Sequence, residues 1–203
     1  MLFIRRLAYE LFLKLHSLAS VTLLISLWLH VNSSTYITAA MAVASSLFLL
    51  QTVAFYANLV YRNIGSGLSC RVSSKRYEQV VRIEVTLKRA WDSKSGQFLY
   101  LYLPRMRSLD FGIFESHPFM IAWDYTEPNQ TVTKKVVLLA QPSNGFTKQL
   151  LKDFDNTFTI LDGSYGNDLY SLKNYDTVLF MANGIGLAGV LMCIRHLIIA
   201  HND

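Results

Sequence analysis

Two long apolar runs open the chain, and a different rhythm follows them. From Leu7 to Val31 and from Tyr36 to Tyr61 the residues are apolar almost without interruption. Each run exceeds the roughly 20 residues that carry a helix across a bilayer. Asn32, Ser33, Ser34 and Thr35 form a short polar turn between them, so the pattern predicts a transmembrane helical hairpin. After Gly65-Ser66-Gly67, which reads as a linker, the period shortens towards two. Val80–Leu87, Gln97–Leu103, Phe119–Trp123 and Val136–Ala140 read as short strands separated by turns. Such a series argues for a small antiparallel β-barrel. From Gly145 the pattern changes again: a helix over Thr147–Phe154, a strand over Thr177–Met181 and a helix over Leu187–Ile199. A strand, a glycine turn and a helix are the opening of an α/β nucleotide-binding unit. The predicted organisation is therefore two membrane helices over 1–64, a barrel over 68–155, and the beginning of an α/β domain over 156–203.

Composition supports the membrane part. Hydrophobic residues make up 52% of the 203 positions and charged ones only 16%, against about 25% charged in ordinary globular chains. The shortfall is concentrated: between Leu7 and Tyr61 the only formal charges are Glu10 and Lys14. The net charge of +5 does not indicate nucleic acid. Arg5, Arg6, Arg62, Arg71, Lys75 and Arg76 flank the apolar stretch instead of forming a recognition face. Basic residues at the outer ends of both spans place those ends, and everything after Arg62, on the cytoplasmic side. Cys70 and Cys193 give neither metal-site spacing nor a disulfide framework. Asn32-Ser33-Ser34 matches a glycosylation sequon but sits close to the membrane.

His16 and His30 lie on the first apolar run, fourteen positions apart. On a helix that spacing is a rise of about 21 Å and nearly four turns, so both rings leave one face. A histidine inside a membrane either hydrogen-bonds to neighbouring helices or serves as a ligand. Two on one face at this separation favour ligation of metal or haem.

Further along, Gly96-Gln97-Phe98-Leu99-Tyr100-Leu101 leads to Ser116-His117-Pro118-Phe119. Gly145-Phe146-Thr147 then opens a predicted helix, whose N-terminal amide groups suit a diphosphate. Asp162-Gly163-Ser164-Tyr165-Gly166 and Val178-Leu179-Phe180-Met181-Ala182-Asn183-Gly184-Ile185-Gly186 follow. The last of these is a strand running into a glycine turn that lets backbone approach a dinucleotide. Taken in this order, the segments resemble the ferric reductase and NADPH oxidase flavocytochrome family, with a flavour of the fungal ferric-chelate reductases.

The resemblance implies FAD, b-type haem and NADPH as cofactors. It would make His16 the ligand of the haem nearer the cytoplasm and His30 that of the outer one. His117 would lie near the flavin diphosphate, together with Gly145 and Thr147; Pro118 belongs to the same motif, and Phe119 would pack on the isoalloxazine ring. Gly184 and Gly186 would receive NADPH. Met120, Ser164 and Asn183 depart from the family's pattern, which has a hydroxyl residue, proline and glycine at those places. The partners implied are a lipid bilayer and a ferric or cupric chelate as electron acceptor. A missing helix-bearing segment or a second copy would complete haem ligation. The expected activity is transmembrane electron export to an extracellular metal from a plasma-membrane protein truncated at both ends. Superoxide production, and a non-catalytic membrane paralogue, are the alternatives left open.

Overall fold

The computed structural model describes residues 9–31, 35–65, 68–104, 116–126, 132–142, 150 and 154–202. The chain divides into two compact units, Met1–Asn58 and Leu59–Asp203.

The first unit is helical. Helix α1 spans Tyr9–His30 and α2 spans Thr35–Asn63, the last turn of α2 belonging to the second unit. Large apolar side chains stand exposed around both, among them Leu18, Leu23, Leu29, Leu47 and Leu50. Three hydroxyls donate within their own helix: Ser20 to the His16 carbonyl at 2.8 Å, Thr22 to the Leu18 carbonyl at 2.9 Å and Thr52 to the Phe48 carbonyl at 2.8 Å. That internal satisfaction suits a medium without water. Across the pair, Trp28 Nε1 donates to Ser45 Oγ at 2.9 Å. Helix α2 is long and apolar enough to cross a membrane, with none of its most apolar window buried. The segment Gly184–His201 meets the same measure of length and composition, with 17% of its window buried.

The second unit is a curled antiparallel sheet. A two-residue ladder, β1 (Ile64–Gly65) with β2 (Leu68–Ser69), stands where the sequence suggests a linker. Seven strands follow: β3 (Arg71–Tyr77), β4 (Val80–Trp91), β5 (Phe98–Tyr102), β6 (Ser116–Asp124), β7 (Thr133–Ala140), β8 (Thr157–Phe158) and β9 (Ile160–Tyr165). Their order in the sheet is β8-β3-β4-β7-β6-β5-β9. Alternation puts Val81, Ile83, Val85 and Leu87 of β4 inside, with Leu99 and Leu101 of β5 and Val136, Leu138 and Ala140 of β7.

The two edge strands, β8 and β9, are separated in sequence only by Thr159. The sheet therefore curls until its edges meet at that residue. Thr159, wholly buried, joins both sides: its amide donates to the Cys70 carbonyl at 3.1 Å and its hydroxyl to the Tyr102 carbonyl at 2.8 Å. Beside the seam, Gly163 holds φ +124 at an irregularity in the β5–β9 ladder, where a Cβ would lie 3.2 Å from the Phe98 carbonyl oxygen. Only glycine fits such a position without strain.

The part after the barrel differs from the expected α/β opening. Thr157–Tyr165 adds antiparallel strands, and Thr177–Met181 joins no ladder among the described residues. An apolar run becomes a strand only where a neighbour takes up its backbone groups. The expected helix over Leu187–Ile199 is two elements, a 3-10 turn over Gly184–Gly189 and helix α3 over Leu191–Asn202. A second 3-10 turn, Leu169–Asn174, packs with α3. The predicted helix at Thr147–Phe154 falls largely outside the described residues.

Candidate functional site

Strand β6, which carries the His-Pro-Phe motif, and the glycine turn meet at a cavity of about 540 Å³. One wall is the outward side of β6 and β7, with Pro118, Met120 and Leu139. The opposite wall is the Gly184–Gly189 turn, which contributes Ile185 and Ala188. Gln141, just beyond β7, brings an amide to an otherwise apolar lining. The turn is possible because Gly184 adopts φ +54 after an extended Asn183. Gly186 follows with open space where a Cβ would stand. The volume is that of an ordinary small-molecule site. A flat, mostly apolar ring with a polar edge is the chemistry this lining accepts.

The residues expected to form a flavin site are partly assembled here. His117, Pro118 and Phe119 lie on β6 opposite Leu101, Tyr100 and Leu99 of β5. Phe119 is mainly a core residue, 9% exposed, and touches the cavity at its edge, while Pro118 and Met120 take the outward positions. Gly184 and Gly186 flank the cavity-lining Ile185. Gly145 and Thr147 lie outside the described residues. His16 and His30 belong to the helical unit, both exposed on α1. The His16 ring is stacked on Phe12 with centroids 5.7 Å apart and planes 10° from parallel. Cys70 and Cys193 are buried, and burial raises the pKa of both thiols, which suits packing more than reactivity.

Two features of this region were not anticipated. Gln141 has no motif to announce it. The other is a buried ion pair between Asp124, at the end of β6, and Arg195 of α3. Ser93 Oγ and Thr126 Oγ1 donate to Asp124 Oδ2 at 2.7 and 2.9 Å. Arg195 Nη1 also donates to the Asp124 carbonyl at 3.2 Å, and the guanidinium lies 4.8 Å over the Trp123 ring. A signal did exist: Arg195 is the only formal charge in Leu191–Ile199, and Asp124 ends an apolar strand. Lone charges in apolar runs need partners.

An antiparallel barrel with a ring-sized cavity between one strand and a glycine turn defines a cofactor-binding barrel. A family model described as an FAD-binding domain matches residues 67–177, more than half of the chain. The chain is also similar to ferric/cupric reductase transmembrane component 7 of Saccharomyces cerevisiae, at 28% identity over 201 residues, covering 92% of this chain and 29% of the relative. Ferric/cupric reductase transmembrane component 1 of Candida albicans is 28% identical over 203 residues, covering 94% of this chain and 24% of the relative. Through residues 67–177 the chain belongs to this family of FAD-binding domains. It spans less than a third of the length of these relatives.

Proposed function

We propose that this chain is the membrane-held, flavin-binding part of a metal reductase that moves electrons from NADPH to a ferric or cupric chelate outside the plasma membrane. The observation that carries the reading is the cavity between β6, within the FAD-binding domain of residues 67–177, and the Gly184–Gly189 turn that follows that domain. Its lining side chains, apolar apart from the Gln141 amide, suit the face of a flavin ring. When bound, the flavin supplies the conversion between two-electron donation by a nicotinamide and one-electron delivery onward.

The chain's own residues have separable tasks. Pro118 and Met120 on one side, and Ile185 and Ala188 on the other, hold the ring and exclude water. Gln141 offers the polar contact that fixes which edge of the ring turns inward. His117, Gly145 and Thr147 are proposed for the flavin diphosphate, and Gly184 and Gly186 for the nicotinamide dinucleotide. His16 and His30 are proposed as one axial ligand each for two b-type haems, the second ligands coming from another helix-bearing segment or a second copy. The names of the relatives, transmembrane components of ferric or cupric reductases, support the acceptor and the membrane setting, with α1 and α2 as spans and the barrel cytoplasmic.

The test uses the detergent-purified chain, incubated with excess FAD and haem and then desalted. Retention of flavin absorbance is expected, and, in a longer form that supplies the second haem ligands, a six-coordinate haem band that is lost in His16→Ala and His30→Ala. A protein that retains no flavin after this treatment contradicts the proposal at its root. Reduction of a ferric chelate on addition of NADPH, measured on a longer form containing the remaining parts, tests the acceptor.

A further inference from the structure

The cavity has two walls on different elements, and something must set the distance between them. Its barrel wall is the middle of β6; the opposite wall is the turn that runs into α3. The break between turn and helix is short: Val190 N donates to the Leu187 carbonyl at 3.1 Å and Ile194 N to the Val190 carbonyl at 2.9 Å. Ala188, Met192 and Arg195 follow one another at helical spacing, with Ala188 and Met192 buried. Val190 thus joins α3 to the turn that carries Ile185 and Ala188.

Apolar packing holds this helix through Met192, wholly buried in the core, and Cys193. A second cavity, about 290 Å³, lies where Leu191 at the start of α3 meets Trp123, Tyr125 and Val137 of the sheet. Beside that void, Arg195 reaches the end of β6 and pairs with Asp124, whose side chain is only 3% exposed. A register shift in the β6–β7 ladder between Ile121 and Trp123 reverses the alternation there, so that Asp124 is buried and Trp123 is not. Bulges of this kind re-aim side chains next to binding sites. The carboxylate is then fully engaged: Ser93 and Thr126 hold one oxygen and Arg195 the other.

We infer that Asp124 and Arg195 are positioning residues for the flavin site: their buried ion pair ties α3 to β6 and fixes the width of the cavity that takes the ring. The inference rests on the flavin reading of that cavity. It adds residues that touch neither the cavity nor its ligand and act only through the Gly184–Gly189 wall.

The test is a comparison of the full chain with Asp124→Asn, Arg195→Gln, Arg195→Lys and the apolar double variant Asp124→Leu with Arg195→Met. FAD affinity is read by fluorescence titration, the ring's surroundings by the visible circular dichroism of bound flavin, and folding by thermal melting without flavin. Breaking a buried pair leaves one charge uncompensated, whereas an apolar replacement of both can keep stability. Asp124→Asn and Arg195→Gln are expected to weaken FAD binding about tenfold or more and to change the flavin dichroism. Arg195→Lys should recover most of both. The double variant should melt near the parent yet keep the weakened binding and altered dichroism, separating position from stability. Parent-like FAD affinity and dichroism in the folded double variant would overturn the inference while leaving the flavin reading intact. A parent chain that binds no FAD removes the reading and the inference together.

Discussion

Asn63 and Leu161 exchange two hydrogen bonds, from Asn63 Nδ2 to the Leu161 carbonyl and from the Leu161 amide to Asn63 Oδ1, each 2.7 Å long. The side-chain amide stands where a further strand would pair with β9. Its other contact, to the Leu59 carbonyl at 2.8 Å, satisfies the end of α2. One buried residue therefore completes both a helix terminus and a sheet edge, and around it Arg62 donates to the Gly163 carbonyl while Arg89 Nε donates to the Tyr61 carbonyl at 2.9 Å. Replacing Asn63 by Leu keeps the bulk and orphans two buried backbone groups. Each such group costs about 1–3 kcal/mol, so a loss of roughly 2–6 kcal/mol is expected in chemical denaturation of the detergent-solubilised protein. A loss below that of an ordinary surface substitution would show that the pairing is dispensable.

Thr159→Val removes a single hydroxyl at the seam, leaving shape and the amide bond to Cys70 unchanged. The Tyr102 carbonyl loses its partner, at a cost of about 1 kcal/mol. Faster hydrogen exchange confined to Thr157–Tyr165 and its two neighbouring strands is the expected result. Uniform change across the barrel would assign the effect elsewhere.

Tyr165 should titrate late. Burial, then its 2.6 Å hydrogen bond to Asp162 and that carboxylate's charge, raise its pKa from 10.0 to about 12, with Arg62 opposing. A raised folded value means that the folded state holds its proton more tightly than the unfolded chain. The stabilisation is fully present below pH 10 and disappears as pH rises through about 12. Phenolate absorbance in Asp162→Asn should appear at lower pH than in the parent. An unchanged titration would remove Asp162 from the explanation.

Filling the cavity should compete with its ligand. Ile185 lines it and is half-buried, so Ile185→Trp places an indole in the space proposed for the flavin ring. FAD affinity is expected to fall by about tenfold or more, equivalent to ~1.4 kcal/mol, with the melting temperature of the flavin-free protein nearly unchanged. Undiminished FAD binding in the folded variant would locate the ring somewhere else.

How much of this was legible in advance follows from what each element shows to water. Strand β5 and the first half of β4 alternate cleanly because one face of each lines the interior of the sheet, and period two is visible in the sequence. Strand β3 hides: only Val72 is buried in it, and Ser73, Ser74, Lys75 and Arg76 read as a loop. Strand β9 hides for the opposite reason, since Asp162 and Gly163 are buried polar and glycine positions that propensity assigns to a turn. Thr177–Met181 looks like a strand by composition but has no pairing partner among the described residues. At the site, the His117-Pro118-Phe119 and Gly184-Ile185-Gly186 segments were recognisable as motifs. Their meeting across a cavity, and the Asp124–Arg195 pair behind it, depend on contacts between distant segments that no local pattern records.

The seam at Thr159 also sets an order of events during synthesis. Until Thr157–Tyr165 has left the ribosome, β3 and β5 each present an unpaired edge, and those edges can recruit strands from other chains. The closing segment is paired to strands more than fifty residues earlier, a long-range step that is slow to nucleate. A chain halted before Thr157 therefore carries two open edges beside an apolar hairpin, and aggregation is its expected fate, whereas a chain halted after Tyr165 already has both edges covered. Stop codons placed on either side of that segment should separate insoluble from soluble products more sharply than any other pair of neighbouring sites in the barrel.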